Sequence, residues 1–196
     1  MIIDTISELC IRHKIITVEE LPLFRYCLQK RLLSSLLLCP LFFLGIHLAS
    51  VVTTLSFLSA FSYLRSMTNG FHASKPVTCF VFSVLIELLL FKCVIPKLSI
   101  HIAVIITLLS SIAVCCFAPY NHPNMDLSPD EIKACRTESR KRLAILIILL
   151  LLSAFLAWEE MFVGLFLGIS LVSVLLCLAY ISNLEVLLCL SKRMRS

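Results

Sequence analysis

Charge is scarce in this chain: only 15% of its 196 residues are Asp, Glu, Lys or Arg, and 12 are acidic against 17 basic. A soluble domain carries about 25% charged and about 45–50% apolar residues. Here 60% are hydrophobic and the mean hydropathy is +1.01, which excludes an ordinary soluble domain. Glycine is scarce too, with four in the whole sequence; that excludes a glycine-rich, phosphate-cradling loop. The ten cysteines form no C-x-x-C pair and no regular secreted spacing, so a disulfide framework is not expected. Cys115, Cys116 and His122 lack zinc-ligand spacing. No metal, cofactor or nucleic-acid partner is expected.

What is present instead is long apolar sequence. The runs 32–64, 143–158 and 161–184 contain no Asp, Glu, Lys or Arg, and a spanning helix needs about 17–25 apolar residues. The fold class is therefore all-α, a polytopic membrane helical bundle in contact with lipid, with no room for a separate soluble domain. Asp4 and Glu8 precede any sustained apolar run, and no small-residue cleavage site follows one, so a cleaved signal peptide is not expected. Residues 1–31 form an amphipathic interfacial pair. In the first helix Ile2, Ile6, Leu9 and Cys10 share a face opposite Asp4, Ser7, Glu8 and Arg12. A Thr17/Glu20 capping pattern starts the second, which is expected to end near Lys30 and Arg31.

The run 32–64 would be about 50 Å long as one helix, at about 1.5 Å per residue, against a hydrocarbon core of about 30 Å. It is better read as two spans breaking within 47–54. The remaining spans are expected near 77–91, 98–118, 143–157 and 161–184, making six in the domain 32–196. Charge supports the same count. All Lys and Arg except Lys92 and Lys97 fall in four segments: the N-terminus, the loop 65–79, the loop 119–142 and the C-terminus. The positive-inside rule puts these four on the cytoplasmic side, which requires an even number of spans between each pair. A multi-pass protein of the cell membrane with both termini cytoplasmic is expected.

Inside the loop 119–142, Ser128-Pro129-Asp130-Glu131 is a helix start with a capping box, and the helix should continue into the fifth span. Lys133, Arg136, Arg140, Lys141 and Arg142 either anchor the chain at lipid headgroups or dock an acidic segment. Glu87, in the third span, is either a packed carboxylic acid or a functional group. Gly164 and Gly168 have GxxxG spacing, which suits close helix approach either within one chain or in a homodimer.

The polar stretch "RSMTNGFHASKPVTCF", residues 65–80, interrupts the apolar sequence. Asn69-Gly70 marks a tight turn, and Pro76 suits a first helical position. Cys79 then falls in the first turn, where the electropositive helix end favours a thiolate. His72, just before, is in a position to fold back onto that sulfur. A Cys–His pair is the minimal equipment for nucleophilic acyl transfer. The plainer reading is a histidine at headgroup level and one more buried thiol.

The pattern Arg65-x4-Gly70-x-His72-x6-Cys79 resembles that of the accessory gene regulator B family. The likeness extends to the amphipathic N-terminus, the six-span pattern and the basic loop entered by "APYNHPN". It implies a membrane cysteine endopeptidase that removes the acidic C-terminal part of a quorum-sensing propeptide and helps close a thiolactone or lactone ring. Carried over by position, Cys79 is the nucleophile, His72 the general base, and Arg65 and Gly70 supporting motif residues. Asn69 departs from the pattern, since many members have glycine there. The resemblance also adds weight to a homodimer. The rival reading is a non-enzymatic transporter or export scaffold. It calls for polar residues spread through several spans, whereas Glu87 is nearly alone.

Overall fold

The computed structural model describes residues 2–12, 15–17, 21–68, 76–121 and 128–193. These form seven α-helices and, among the described residues, no strand. The helices are α1 (Ile2–Arg12), α2 (Leu21–Leu48), α3 (Val51–Thr68), α4 (Pro76–Leu89), α5 (Ile100–Phe117), α6 (Pro129–Phe155) and α7 (Glu159–Arg193). A π-helical turn, Leu90–Val94, and a 3-10 turn, Ile95–Lys97, follow α4. The chain divides into two compact units, Met1–Phe43 and Leu44–Ser196.

In the first unit, an exposed ion pair of 3.2 Å joins Arg25 of α2 to Asp4 of α1. The buried stripe of α1 is rotated from the expected one. Ser7 is fully buried, while Leu9 is 49% exposed. Ser7, Cys10 and Ile11 are three and four residues apart and so share a stripe; Leu9, two residues from Ser7, does not. The second helix does not end near Lys30 and Arg31 but continues to Leu48. Gln29, Lys30 and Arg31 are good helix formers, and no Gly or Pro occurs from Leu23 to Cys39 to stop it. Pro40 lies inside α2, where it removes one backbone donor. Glu20, of the expected capping pattern, lies outside the described residues.

The second unit begins in the last turn of α2. The break expected within 47–54 falls at Ala49 and Ser50. Ser50 caps α3, its hydroxyl accepting from the Thr53 N–H at 3.1 Å. The core of this unit is a seam of Phe57, Ala60 and Leu64 from α3, Leu143, Leu146 and Leu150 from α6, and Leu165, Ile169, Val172 and Leu176 from α7. Gly164 and Gly168 are used within the chain. A Cβ at Gly164 would run into the Thr53 carbonyl oxygen and come within 2.7 Å of Ser56 Cβ; at Gly168 it would meet Ala60 Cβ at 2.7 Å. Backbone-to-backbone packing of α3 on α7 thus takes up the GxxxG spacing.

Helix directions follow from the pairs that meet. Ser173 donates to Ser110 at 2.9 Å, and Tyr180 donates to the Phe117 carbonyl at 3.0 Å, both with a sequence separation of 63. A constant separation means that α5 and α7 run parallel. The contacts of Gly164 and Gly168 advance along α3 from Thr53 to Phe61 in the same sense, so α3 is parallel to them as well. The C-terminal ends of α3, α5 and α7 therefore point the same way. The charged start of α6 meets the ends of α3 and α5, and α6 then runs back in the opposite direction to a tight turn. In that turn Ala157 has φ 53 and the Trp158 N–H donates to the Ser153 carbonyl at 2.8 Å.

Among the described residues, two helical stretches are by themselves long and apolar enough to cross a membrane, Ile100–Phe117 and Glu159–Ser182. That is fewer than the six expected. Helix α4 has only 14 residues, α3 is diluted by Ser and Thr, and α6 joins its apolar half to a charged one. Even so, α3 to α7 all present large apolar residues outward, among them Leu55, Leu85, Leu108, Ile148 and Leu178, each at least 47% exposed. An apolar outer face of this extent suits contact with lipid.

Candidate active site

The polar stretch is framed by two helix ends. Helix α3 carries Arg65 in its last turn and ends at Thr68. Helix α4 starts at Pro76, as expected of a residue whose missing N–H is not needed at a first helical position. Cys79 lies in the first turn of α4, where the unpaired N–H groups make the helix end electropositive. Residues 69–75, which include Gly70 and His72, lie outside the described residues, as does the Cys79 side chain. Arg65 is half-buried and engaged by a neighbour. Among the described residues, no group of three His, Cys, Asp or Glu could hold a metal ion.

The α3 end of this frame is tied down from two directions. The Thr68 carbonyl accepts from the Tyr120 N–H at 3.0 Å. The Arg142 guanidinium donates to the Tyr63 carbonyl at 2.9 Å and to the Ser66 hydroxyl. The same guanidinium stacks 4.7 Å from the Tyr63 ring centroid and pairs with Glu138 at 3.4 Å. Arg140 caps the neighbouring helix, donating to the Cys115 carbonyl in the last turn of α5 at 3.1 Å. A cation at a helix C-terminus meets carbonyls without intrahelical partners and the negative end of the helix dipole. Tyr120 and Tyr180 complete this layer, their ring centroids 5.2 Å apart.

The basic run is therefore divided in its surroundings. Arg140 and Arg142 are engaged on helix ends; Arg140, like Lys133, Arg136 and Lys141, is exposed, and Lys141 lies 3.9 Å from Glu138. Glu131 belongs to the cap of α6. Its carboxylate accepts from the Ser128 N–H at 2.9 Å and from the Ser128 hydroxyl at 2.8 Å, and these two bonds hold its pKa below the ordinary 4.5. Sequence reasoning missed Tyr63, Ser66, Tyr120 and Tyr180. Their one visible signal was tyrosine recurring at the ends of apolar runs, the usual place of interfacial aromatics.

Glu87 stands apart from this layer. It is 1% exposed, and neither carboxylate oxygen has a hydrogen-bond partner among the described residues. A Cβ on Gly45 would lie 2.7 Å from Glu87 Oε1 and 2.9 Å from Thr54 Oγ1, so the carboxyl is enclosed beside these two residues.

Comparison with known families gives one result: the family model AgrB, accessory gene regulator B, matches residues 3–183. No curated protein sequence and no solved structure gives a match.

Proposed function

Because this chain belongs to the accessory gene regulator B (AgrB) family, we propose that it is a membrane-embedded cysteine endopeptidase acting on a quorum-sensing propeptide. The observation that carries this reading is the family match across residues 3–183, which contain the whole Arg65–Cys79 pattern. The placing of Cys79 in the first turn of α4 supports it, since a thiol there is favoured as a thiolate.

In the proposed reaction, the Cys79 thiolate attacks the carbonyl carbon of the scissile peptide bond. The C–N bond breaks, and His72 gives its proton to the departing amine. The propeptide is left as a thioester on Cys79. A Cys or Ser side chain within the bound peptide then attacks the thioester carbonyl, and His72 takes the proton released. The new C–S or C–O bond closes a thiolactone or lactone ring, and the Cys79 thiolate is freed beside a protonated His72. Thioester exchange conserves the activated acyl group, which is the reason a cysteine suits this chemistry.

The proposed setting is the cell membrane, with six spans and both termini cytoplasmic. The charge distribution supports it. So does the helix arrangement, in which the ends of α3, α5 and α7 share one side with the basic start of α6, a side that carries Arg65, Lys133, Arg136, Arg140, Lys141 and Arg142. Lys133, Arg136, Arg140 and Lys141 are exposed cations of α6 and candidates for an acidic peptide segment, while Arg140 and Arg142 also hold helix ends. A homodimer, if formed, needs a surface other than Gly164 and Gly168.

The test is Cys79→Ser and His72→Ala, each assayed for cleavage of the cognate propeptide in membranes. Both are expected to abolish cleavage. Full cleavage by either variant removes the mechanism.

A further inference from the structure

We propose that Arg142 is a positioning residue for the His72/Cys79 pair, acting through the last turn of α3. The proposal rests on the peptidase reading above.

His72 lies four residues beyond Thr68, the last residue of α3, and seven before Cys79. Where the segment 69–75 starts is therefore set by the end of α3. That end is held by Tyr120 and, from α6, by Arg142. One guanidinium reaches the Tyr63 carbonyl, the Ser66 hydroxyl, the Tyr63 ring and Glu138 together. The side chain of Arg142 is only 17% exposed, although its partners Tyr63 and Ser66 lie at the surface. Arg65 sits in the same turn, between Tyr63 and Ser66. The contacts span 76 and 79 residues of sequence and join two helices that no short loop connects.

A planar fork of donors is needed to meet a carbonyl, a hydroxyl and a carboxylate at once, and an ammonium group offers no such fork. Lysine at position 142 would keep the charge and lose the simultaneous contacts. This separates positioning from electrostatic attraction of a substrate, for which a point charge suffices.

The experiment measures steady-state cleavage of the propeptide by Arg142→Ala, Arg142→Lys and Ser66→Ala in membranes. Site-resolved alkylation of Cys79 is measured alongside as a function of pH. Misplacement of a reacting group by about 1 Å can cost about 100-fold in rate. Arg142→Ala is expected to lower kcat by about 10–100-fold with KM changed less than about twofold. Arg142→Lys should fail to restore kcat. Ser66→Ala, which removes one acceptor and leaves the charge, should shift kcat in the same direction by less. The pH profile of Cys79 alkylation should move in both Arg142 variants, a readout that a merely structural role of Arg142 would leave in place.

Raised KM with unchanged kcat, restored by lysine, would overturn the proposal in favour of substrate attraction. So would native kcat in all three variants. If Arg142→Ala fails to fold, Arg142→Lys and Ser66→Ala decide, and native kcat in both overturns the proposal. Cleavage that survives Cys79→Ser instead removes the peptidase reading itself, and the two failures are thereby distinguished.

Discussion

Gly164 of α7 packs directly against the backbone of Thr53 in α3, leaving no space for a side chain between them. One turn on, Gly168 does the same against Phe57 and Ala60: an added Cβ would lie 3.0 Å from the Phe57 carbonyl oxygen and 2.7 Å from Ala60 Cβ. Both neighbours are backbone or short side chains, which cannot swing aside. Overpacking of this kind costs about 1–3 kcal/mol. Gly164→Ala and Gly168→Ala are each expected to lower the thermal unfolding midpoint in detergent. Because the contact lies within one chain, neither should change the oligomeric state measured by light scattering. Native stability with a loss of dimer would show that the glycines serve an interface between chains.

How legible this was in the sequence depends on how local each feature is. The start of α6 was readable from four adjacent residues, and the structure shows both halves of the Ser128/Glu131 box. The limits of α5, Ile100–Phe117, lie within a residue or two of the apolar run at 98–118. The end of α2 was misread because charge at Lys30 and Arg31 was taken as a boundary, although neither residue interrupts helical hydrogen bonding. The GxxxG spacing signalled close approach but carried no information about its partner. The Arg142 contacts were invisible for the same reason: residues 76 and 79 positions apart meet only through tertiary packing. Of the candidate site, the start of α4 was legible in Pro76, whereas α3 runs on to Thr68, into the stretch expected as a loop from 65; His72 and Gly70 lie outside the described residues.

The turn between α6 and α7 offers a second test. Ala157 has φ 53, in the left-handed region where a Cβ crowds the following carbonyl and costs about 1–2 kcal/mol. The Trp158 N–H to Ser153 carbonyl bond is the long bond of a helix-ending motif that favours glycine at this position. Ala157→Gly is expected to raise the unfolding midpoint, and the gain should be near 1 kcal/mol after allowing for the added chain entropy. A lower midpoint in this variant would mean that the strain is relieved in the native turn.

Acid should loosen the start of α6. Hydrogen bonds from the Ser128 backbone N–H, and then from its hydroxyl, hold the Glu131 pKa below its ordinary 4.5. A carboxyl whose folded pKa is depressed contributes stability at pH values above its unfolded pKa. That contribution is lost as pH falls from about 4.5 through the lower folded value. Amide hydrogen exchange at residues 129–133 is expected to become relatively less protected across that window. Glu131→Gln removes the titrating group and should abolish the pH step, while Ser128→Ala should return the Glu131 titration toward its ordinary position. An unchanged step in Glu131→Gln would assign it to another carboxyl.

Glu87 invites the opposite expectation from a salt-bridged acid. Its two oxygens are buried and without partners among the described residues, and the carboxyl lies beside Gly45 and Thr54. Leaving a buried polar group unsatisfied costs about 1–3 kcal/mol, whereas an apolar side chain of similar shape at the same place is nearly neutral or stabilising. Glu87→Met is close in volume and carries no orphaned oxygen. Its unfolding midpoint is expected to equal or exceed that of the native chain, and propeptide cleavage should continue, since the carboxyl is closed off from the surface. A destabilised Glu87→Met variant would reveal a partner that satisfies the acid in the membrane. Intact stability with lost cleavage would instead make Glu87 part of the reaction, and the enclosure beside Gly45 and Thr54 would then have to open during turnover.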